Sequence, residues 1–183
     1  PYPANRRDRG HSVFLIEVRE RHGTLYPAVA TEIRAGDRTK VTDRGREGTS
    51  AVLISTDGRL ILQLRDNLPS ISDPGKLGFF GGQREGNESF LDCVVREVHE
   101  ETGYYLAAER FELIGRYIGP DYRIPFGVLR GEIFVAREVP VDRLLISEGS
   151  LRVIAVDEID LVYDMLALPA KYAPKLFSTA SES

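Results

Sequence analysis

The stretch GQREGNESFLDCVVREVHEETGY, residues 82–104, carries the clearest local pattern in the chain. Within it Leu91, Val94, Val95, Val98 and Thr102 recur at helical spacing, which predicts a helix over 89–102. Ser89 followed three residues later by Asp92 resembles a capping box, and Gly103 stands where a left-handed C-terminal cap belongs. On a wheel advancing about 100° per residue, Glu97, Glu100 and Glu101 share one face, and the apolar set centres roughly 115° from Glu97. Carboxylates at i, i+3 and i+4 repel one another, so the helix gains from the trio only if a cation sits between them. The alternative is a solvated acidic face. A hard divalent ion held by oxygen ligands, Mg²⁺ or Mn²⁺, is the natural filler, and such ions complete their shells with water and phosphate oxygens. Phosphate chemistry is the function class this pattern points to.

Working outward, residues 51–55 (AVLIS) and 59–65 (RLILQLR) flank an Asp57-Gly58 turn and read as a β-hairpin opening the main sheet. Residues 67–76 are rich in Pro, Ser, Asp and Gly and read as a loop, followed by the apolar run 77–80 and the pair Gly81-Gly82. Beyond the helix, 111–118, 124–136 and 151–156 read as strands. A C-terminal helix is expected over 159–166, with a further one over 170–177 that Pro174 interrupts. Before the main sheet, 11–19 and 25–34 are β-rich segments around a Gly-containing turn, a second hairpin. Residues 35–50 read as a polar connection. Basic side chains outnumber acidic ones before residue 50 and acidic ones outnumber basic ones after it, which supports a boundary there. The expected organisation is a disordered lead-in (1–10), a hairpin extension with its connection (11–50), one main domain (51–177) and a frayed tail (178–183), with α/β layers.

The composition, 183 residues with 42% hydrophobic and 28% charged, suits one sizeable core. A net charge of -4 without a polybasic stripe argues against a nucleic-acid polymer as partner. Apolar runs of about five residues are far short of a membrane span, so neither a membrane partner nor a membrane anchor is expected. Cys93 is the single cysteine, which excludes an intramolecular disulfide and a cysteine zinc cluster; a reducing compartment, the cytoplasm, is the expectation. The first residues lack an apolar signal core and an initiator Met, so residues are expected to be missing or altered there. Cys93 reads as a small buried side chain. His11, His22 and His99 give no triad and no metal spacing.

Gly82, Glu88, Arg96, Glu97, Val98, Glu100, Glu101, Gly103 and Tyr104 fit the pattern G-x5-E-x7-R-E-U-x-E-E-x-G-U, with U a bulky apolar residue, and the chain thereby resembles the Nudix hydrolase family. Nine specified positions match by chance about once in ten million chains of this length, so the motif is specific. The resemblance spans 82–104 and, through the strand order, about 50–177. It implies an α/β/α sandwich around a central mixed sheet, here with an N-terminal β-hairpin extension. It further implies metal-dependent hydrolysis of a nucleoside diphosphate linked to another moiety. Glu97, Glu100 and Glu101 would coordinate Mg²⁺ (or Mn²⁺) together with the Gly81 carbonyl, and one of the three or a later glutamate would activate water. Arg96 would orient a glutamate and Glu88 brace the loop. Arg65 corresponds to a residue that contacts substrate phosphate in relatives, and Glu148 to a distant catalytic glutamate, for which Glu132, Glu138 and Glu158 compete.

The chain departs from the family pattern at Phe79-Phe80-Gly81-Gly82, which lacks the usual proline, and at Leu77, where a tryptophan is common. It departs again at Glu85-Gly86-Asn87-Glu88, where the glycine is shifted by one and Asn87 is left to tolerate a left-handed turn. By the same resemblance, Pro120 and the N-terminal strand pair are similar to features of relatives acting on ADP-ribose, whose extensions dimerise. A nucleotide sugar or ADP-ribose-like substrate and a homodimer follow as expectations, with an oxidised nucleoside triphosphate as the rival substrate. A Nudix-fold module that senses a nucleotide without cleaving it is the alternative class, and the presence of all three glutamates favours the enzyme.

Overall fold

A computed structural model of the chain describes residues 14–17, 45–71, 73–121, 124, 127–167 and 169–172. The strands are β1 (Phe14–Glu17), β2 (Gly45–Ser55), β3 (Leu60–Leu64), β4 (Leu77–Gly78), β5 (Glu112–Asp121), β6 (Gly127–Val139) and β7 (Ser150–Ile154). They form one sheet in the order β1-β5-β6-β2-β3-β4, with β7 also paired to β3. The sheet is mixed: β2 and β6 run parallel from Gly45↔Val128 to Ser55↔Val139, and the other pairings are antiparallel.

Period-two alternation along β2 divides the core between the two faces. Val52 and Ile54 join Leu60, Leu62, Ile133, Val135, Ile159 and Leu166 on one side. Ala51 and Leu53 join Ile61, Phe80, Val94, Val98, Phe134 and Ala136 on the other. Helix α1 (Phe90–Thr102) covers the second face, and a 3-10 segment, Val156–Met165, contributes Ile159 to the first. Both layers expected around the sheet are present, although the outer one is a 3-10 helix rather than the α-helix read over 159–166. Within it Leu161, Tyr163 and Met165 are exposed, so burial supplies little to favour one regular α-helical stripe.

Both ends of α1 are sealed by their own residues. Ser89 Oγ accepts from the Asp92 N–H at 3.0 Å while the Asp92 carboxylate accepts from the Ser89 N–H at 3.3 Å, a complete capping box. Gly103 adopts φ 62° and donates to the His99 carbonyl at 2.8 Å. Ser89→Ala is expected to cost about 1 kcal/mol, read as a lowered Tm, with the spectrum of the folded state unchanged.

Several boundaries differ from those read in the sequence. The main sheet begins at Gly45, inside the expected polar connection 35–50, and Thr49 and Ser50 are buried. Pairing with β6 on one side and with 80–83 on the other recruits this polar run, since Thr49 donates to the Gly82 carbonyl (2.9 Å) and Ala51 to the Phe80 carbonyl (2.7 Å). The later strands shift by one to three residues at each end, as strand ends commonly do. Gly86 itself takes the left-handed conformation at φ 53°, and Asn87 is not needed for it.

In the N-terminal region the described strand β1 pairs antiparallel with β5 of the same chain, Phe14 opposite Ile118. The expected partner segment 25–34 lies outside the described residues, as do the lead-in, 173–177 of the last expected helix, and the tail. Pro120 lies within β5, with its side chain outside the description. Among the described residues no helix is long and apolar enough to cross a membrane.

Candidate active site

Helix α1 lies across the sheet with Val94, Val98 and Thr102 buried, which turns the glutamate face toward the Gly81-Gly82 segment. Val95, expected on the buried stripe, is only half-buried; Val94 and Val98 are the anchors. The bonds from Phe80 and Gly82 to β2 leave Gly81, between them, facing the other way in the extended segment. Its N–H donates to Glu101 Oε2 at 2.8 Å. Gly81 has φ 130°, and a Cβ there would overlap the Thr49 carbonyl; a Cβ on Gly82 would overlap the Glu97 carboxylate. Gly81 is held by its conformation and by the backbone beside it, whereas at Gly82 the missing Cβ leaves room for the Glu97 carboxylate, which would have to move for a larger residue.

Arg96 ties the other carboxylates together. Its Nε and Nη2 meet Glu88 Oε2 and Oε1 at 3.1 and 2.7 Å, Nη1 meets Glu97 Oε1 at 2.9 Å and Glu100 Oε2 at 3.1 Å, and Nη2 also donates to the Gln83 carbonyl at 3.0 Å. This guanidinium is one answer to the repulsion among clustered carboxylates, because it places positive charge between Glu97 and Glu100. The bidentate partner Arg96 holds the Glu88 carboxyl down at about 2. Unfolded, Glu88 returns to about 4.5, so its contribution to stability is present above that value and is lost as pH falls toward 2. The Tm difference between the parent and Glu88→Gln is therefore expected to be largest near neutral pH and to shrink below pH 5, measured by thermal melts at stepped pH.

Burial drives the Glu101 carboxyl up to about 7 against the pull of the Gly81 N–H; the charges of Glu97 and Glu148 push it further up and that of Arg65 opposes them. Glu97 is likewise raised by burial, with Arg96 opposing. Glu148 and Arg65 thus act electrostatically on Glu101. The competing glutamates stand elsewhere: Glu132 is paired with Arg116 at 2.8 Å, Glu138 is exposed near the end of β6, and Glu158 accepts from the Ala155 N–H at 3.0 Å.

Cys93 is buried beside Thr49 Oγ1 (3.5 Å), and burial lifts its thiol to about 11, which makes it an inert packing group. The sequence reading passed over Gln63, Asp66 and Ser147, which tie the segment around Glu148 to β3 and α1. A glutamine inside the apolar run LILQL was the available signal for the first of them.

Among the described residues no three His, Cys, Asp or Glu side chains converge to hold an ion as placed. The donor set is nonetheless oxygen-only, and Gly82 leaves the Glu97 carboxylate a space that even a methyl group would fill. Such donors fit a hard divalent cation.

The Nudix domain family matches residues 45–166, and the chain belongs to that family, whose hydrolases act on pyrophosphate bonds and generally use divalent metal ions. No curated protein matches the chain. Among solved structures it is similar to the MutT Nudix hydrolase of Burkholderia pseudomallei, with 22% identity, TM-score 0.60, and 74% of this chain and 99% of that one covered. It is similar also to the MutT protein of Methanosarcina mazei Go1, with 21% identity, TM-score 0.61 and coverage of 76% and 97%. A bifunctional NMN adenylyltransferase/ADP-ribose pyrophosphatase of Francisella tularensis, complexed with AMP and a manganese ion, aligns with 17% identity and TM-score 0.51, covering 77% of this chain and 42% of that one.

Proposed function

We propose that this chain is a divalent-metal-dependent pyrophosphohydrolase acting on a nucleoside diphosphate joined to another group, with a nucleotide sugar or ADP-ribose-like compound as substrate. The observation that carries this reading is the placement of Glu97 and Glu101 on one helix face against Gly81-Gly82, with Arg65 and Glu148 acting on Glu101. Glu97, Glu100, Glu101 and the Gly81 carbonyl would hold Mg²⁺ or Mn²⁺, which when bound neutralises diphosphate charge and lowers the pKa of bound water. Convergence of these groups takes a rotation of Glu100 away from Arg96, and its side chain, 56% exposed, has the freedom to make it.

The remaining steps fall to the protein's own groups. Arg96, anchored by Glu88 and the Gln83 carbonyl, restricts the rotamers of Glu97. Arg65 supplies positive charge to the substrate phosphates. Glu148 takes a proton from the attacking water as its oxygen bonds to phosphorus and the bridging P–O bond breaks.

Substrate choice is supported by Pro120, which by the family resemblance matches a proline of relatives acting on ADP-ribose, and by the likeness to the Francisella tularensis NMN adenylyltransferase/ADP-ribose pyrophosphatase, which was solved with AMP and a manganese ion. A homodimer remains part of the proposal; since β1 pairs with β5 of its own chain, the contact would fall to other N-terminal residues, and light scattering at micromolar concentration tests it. For activity, the purified protein is incubated with nucleotide sugars, ADP-ribose and oxidised nucleoside triphosphates, with and without Mg²⁺, and products are separated by chromatography. Metal-dependent release of a nucleoside monophosphate from a diphosphate substrate is expected. Turnover confined to oxidised triphosphates would replace the substrate class, and tight binding with no turnover would identify a sensor.

A further inference from the structure

Strand β3 is apolar except at Gln63, which is 2% exposed on the α1 side of the sheet. Its Nε2 donates to the Glu148 main-chain carbonyl at 3.0 Å. A carbonyl only accepts, so this bond fixes the orientation of the amide and leaves Oε1 buried and, among the described residues, without a hydrogen-bond partner. A half-satisfied buried amide is costly compared with an apolar side chain of the same shape, so its presence in β3 calls for a compensating task.

That task is visible in the segment it touches. Against the C-terminal end of α1, Leu145 donates to the Thr102 carbonyl at 2.7 Å, and Ser147 donates through N–H to the Glu101 carbonyl and through Oγ to the Glu100 carbonyl, both at 3.1 Å. On the other flank the Gly149 N–H meets Asp66 Oδ2 at 3.3 Å, and Gly149, at φ 70°, lies so near β3 that a Cβ would overlap the Leu64 carbonyl. Glu148 therefore sits between a residue tied to the glutamate helix and one tied to β3, with its own carbonyl held by Gln63.

We infer that Gln63 is a positioning residue: its amide clamps the Glu148 main chain to β3 and so sets where the Glu148 carboxylate stands relative to the α1 glutamates. The inference rests on the reading of Glu148 as the group that takes the proton from water.

Gln63→Leu removes donor and orphaned acceptor together at similar size, and Gln63→Met does the same with an unbranched chain should the branched one not be accommodated. Three readouts are taken on the full chain: the melting temperature, amide hydrogen exchange at Ser147 and Gly149, and kcat with KM in the presence of Mg²⁺. The variant is expected to melt no lower than the parent, to exchange those amides at least about tenfold faster, and to lose about tenfold in kcat with KM little changed. In the Glu148→Gln background the same substitution is expected to cost nothing more, because the two act as one unit.

Unchanged exchange overturns the clamp. Faster exchange with full kcat, or additive losses in the double variant, overturns its link to the reaction. Full activity of Glu148→Gln alone, alongside faster exchange in Gln63→Leu, removes the reading of Glu148 and leaves the clamp standing.

Discussion

Glu101→Gln is expected to lower kcat by at least about a hundredfold at millimolar Mg²⁺ and to leave the fold intact. The side chain keeps its length and can still accept from the Gly81 N–H, so the backbone approach that positions the site survives. What is lost is a negative charge at the point where a cation and a diphosphate must be brought together. Glu97→Gln should act in the same direction, since its carboxylate occupies the space over Gly82. Steady-state kinetics on the best substrate, with circular dichroism on the same samples, separates lost chemistry from lost structure. Retained kcat in both variants at millimolar Mg²⁺ would sink the assignment of these glutamates.

The second large effect is structural. Val98→Asp places a carboxylate where the side chain is 1% exposed, among Val94, Phe134 and Ala136 on the helix-facing side of the sheet. The side chains of that cluster are apolar, so the charge must either be neutralised or drag the helix off the sheet, and a loss above about 4 kcal/mol is expected. A domain of ordinary stability does not survive this, and the cooperative thermal transition should vanish. Val95→Asp, at a half-buried position three residues before Val98 on the same helix, should cost much less. Equal damage from the two substitutions would mean that α1 is rotated from the orientation described.

Legibility in the sequence was uneven for identifiable reasons. The α1 helix, its Ser89–Asp92 cap, the Gly103 stop and the acidic face were readable because they depend on residues within a few positions of one another. The Asp57-Gly58 turn was readable for the same reason, with Gly58 at φ 80°. The 3-10 form of Val156–Met165 was not, because its apolar residues are compatible with either helix and the choice depends on how few of them find a cover. The orientation of α1 was read nearly correctly, but Val94, rather than Val95, proved to be the deeper anchor, since wheel arithmetic does not say where the sheet stands.

The motif of residues 82–104 by itself determined the family and the α1 glutamates, because those side chains are three and four residues apart on one helix and their relation needs no distant partner. Only the tertiary structure decided that β2 begins at Gly45, since a polar run becomes a central strand when β6 and residues 80–83 supply its hydrogen bonds. It likewise brought the Glu148 charge to bear on Glu101 and set the Gln63 amide on the Glu148 carbonyl. Glu148 lies 47 positions beyond Glu101 and 85 beyond Gln63. Proximity across such separations comes from strand pairing and loop closure, to which local spacing and charge pattern carry no key.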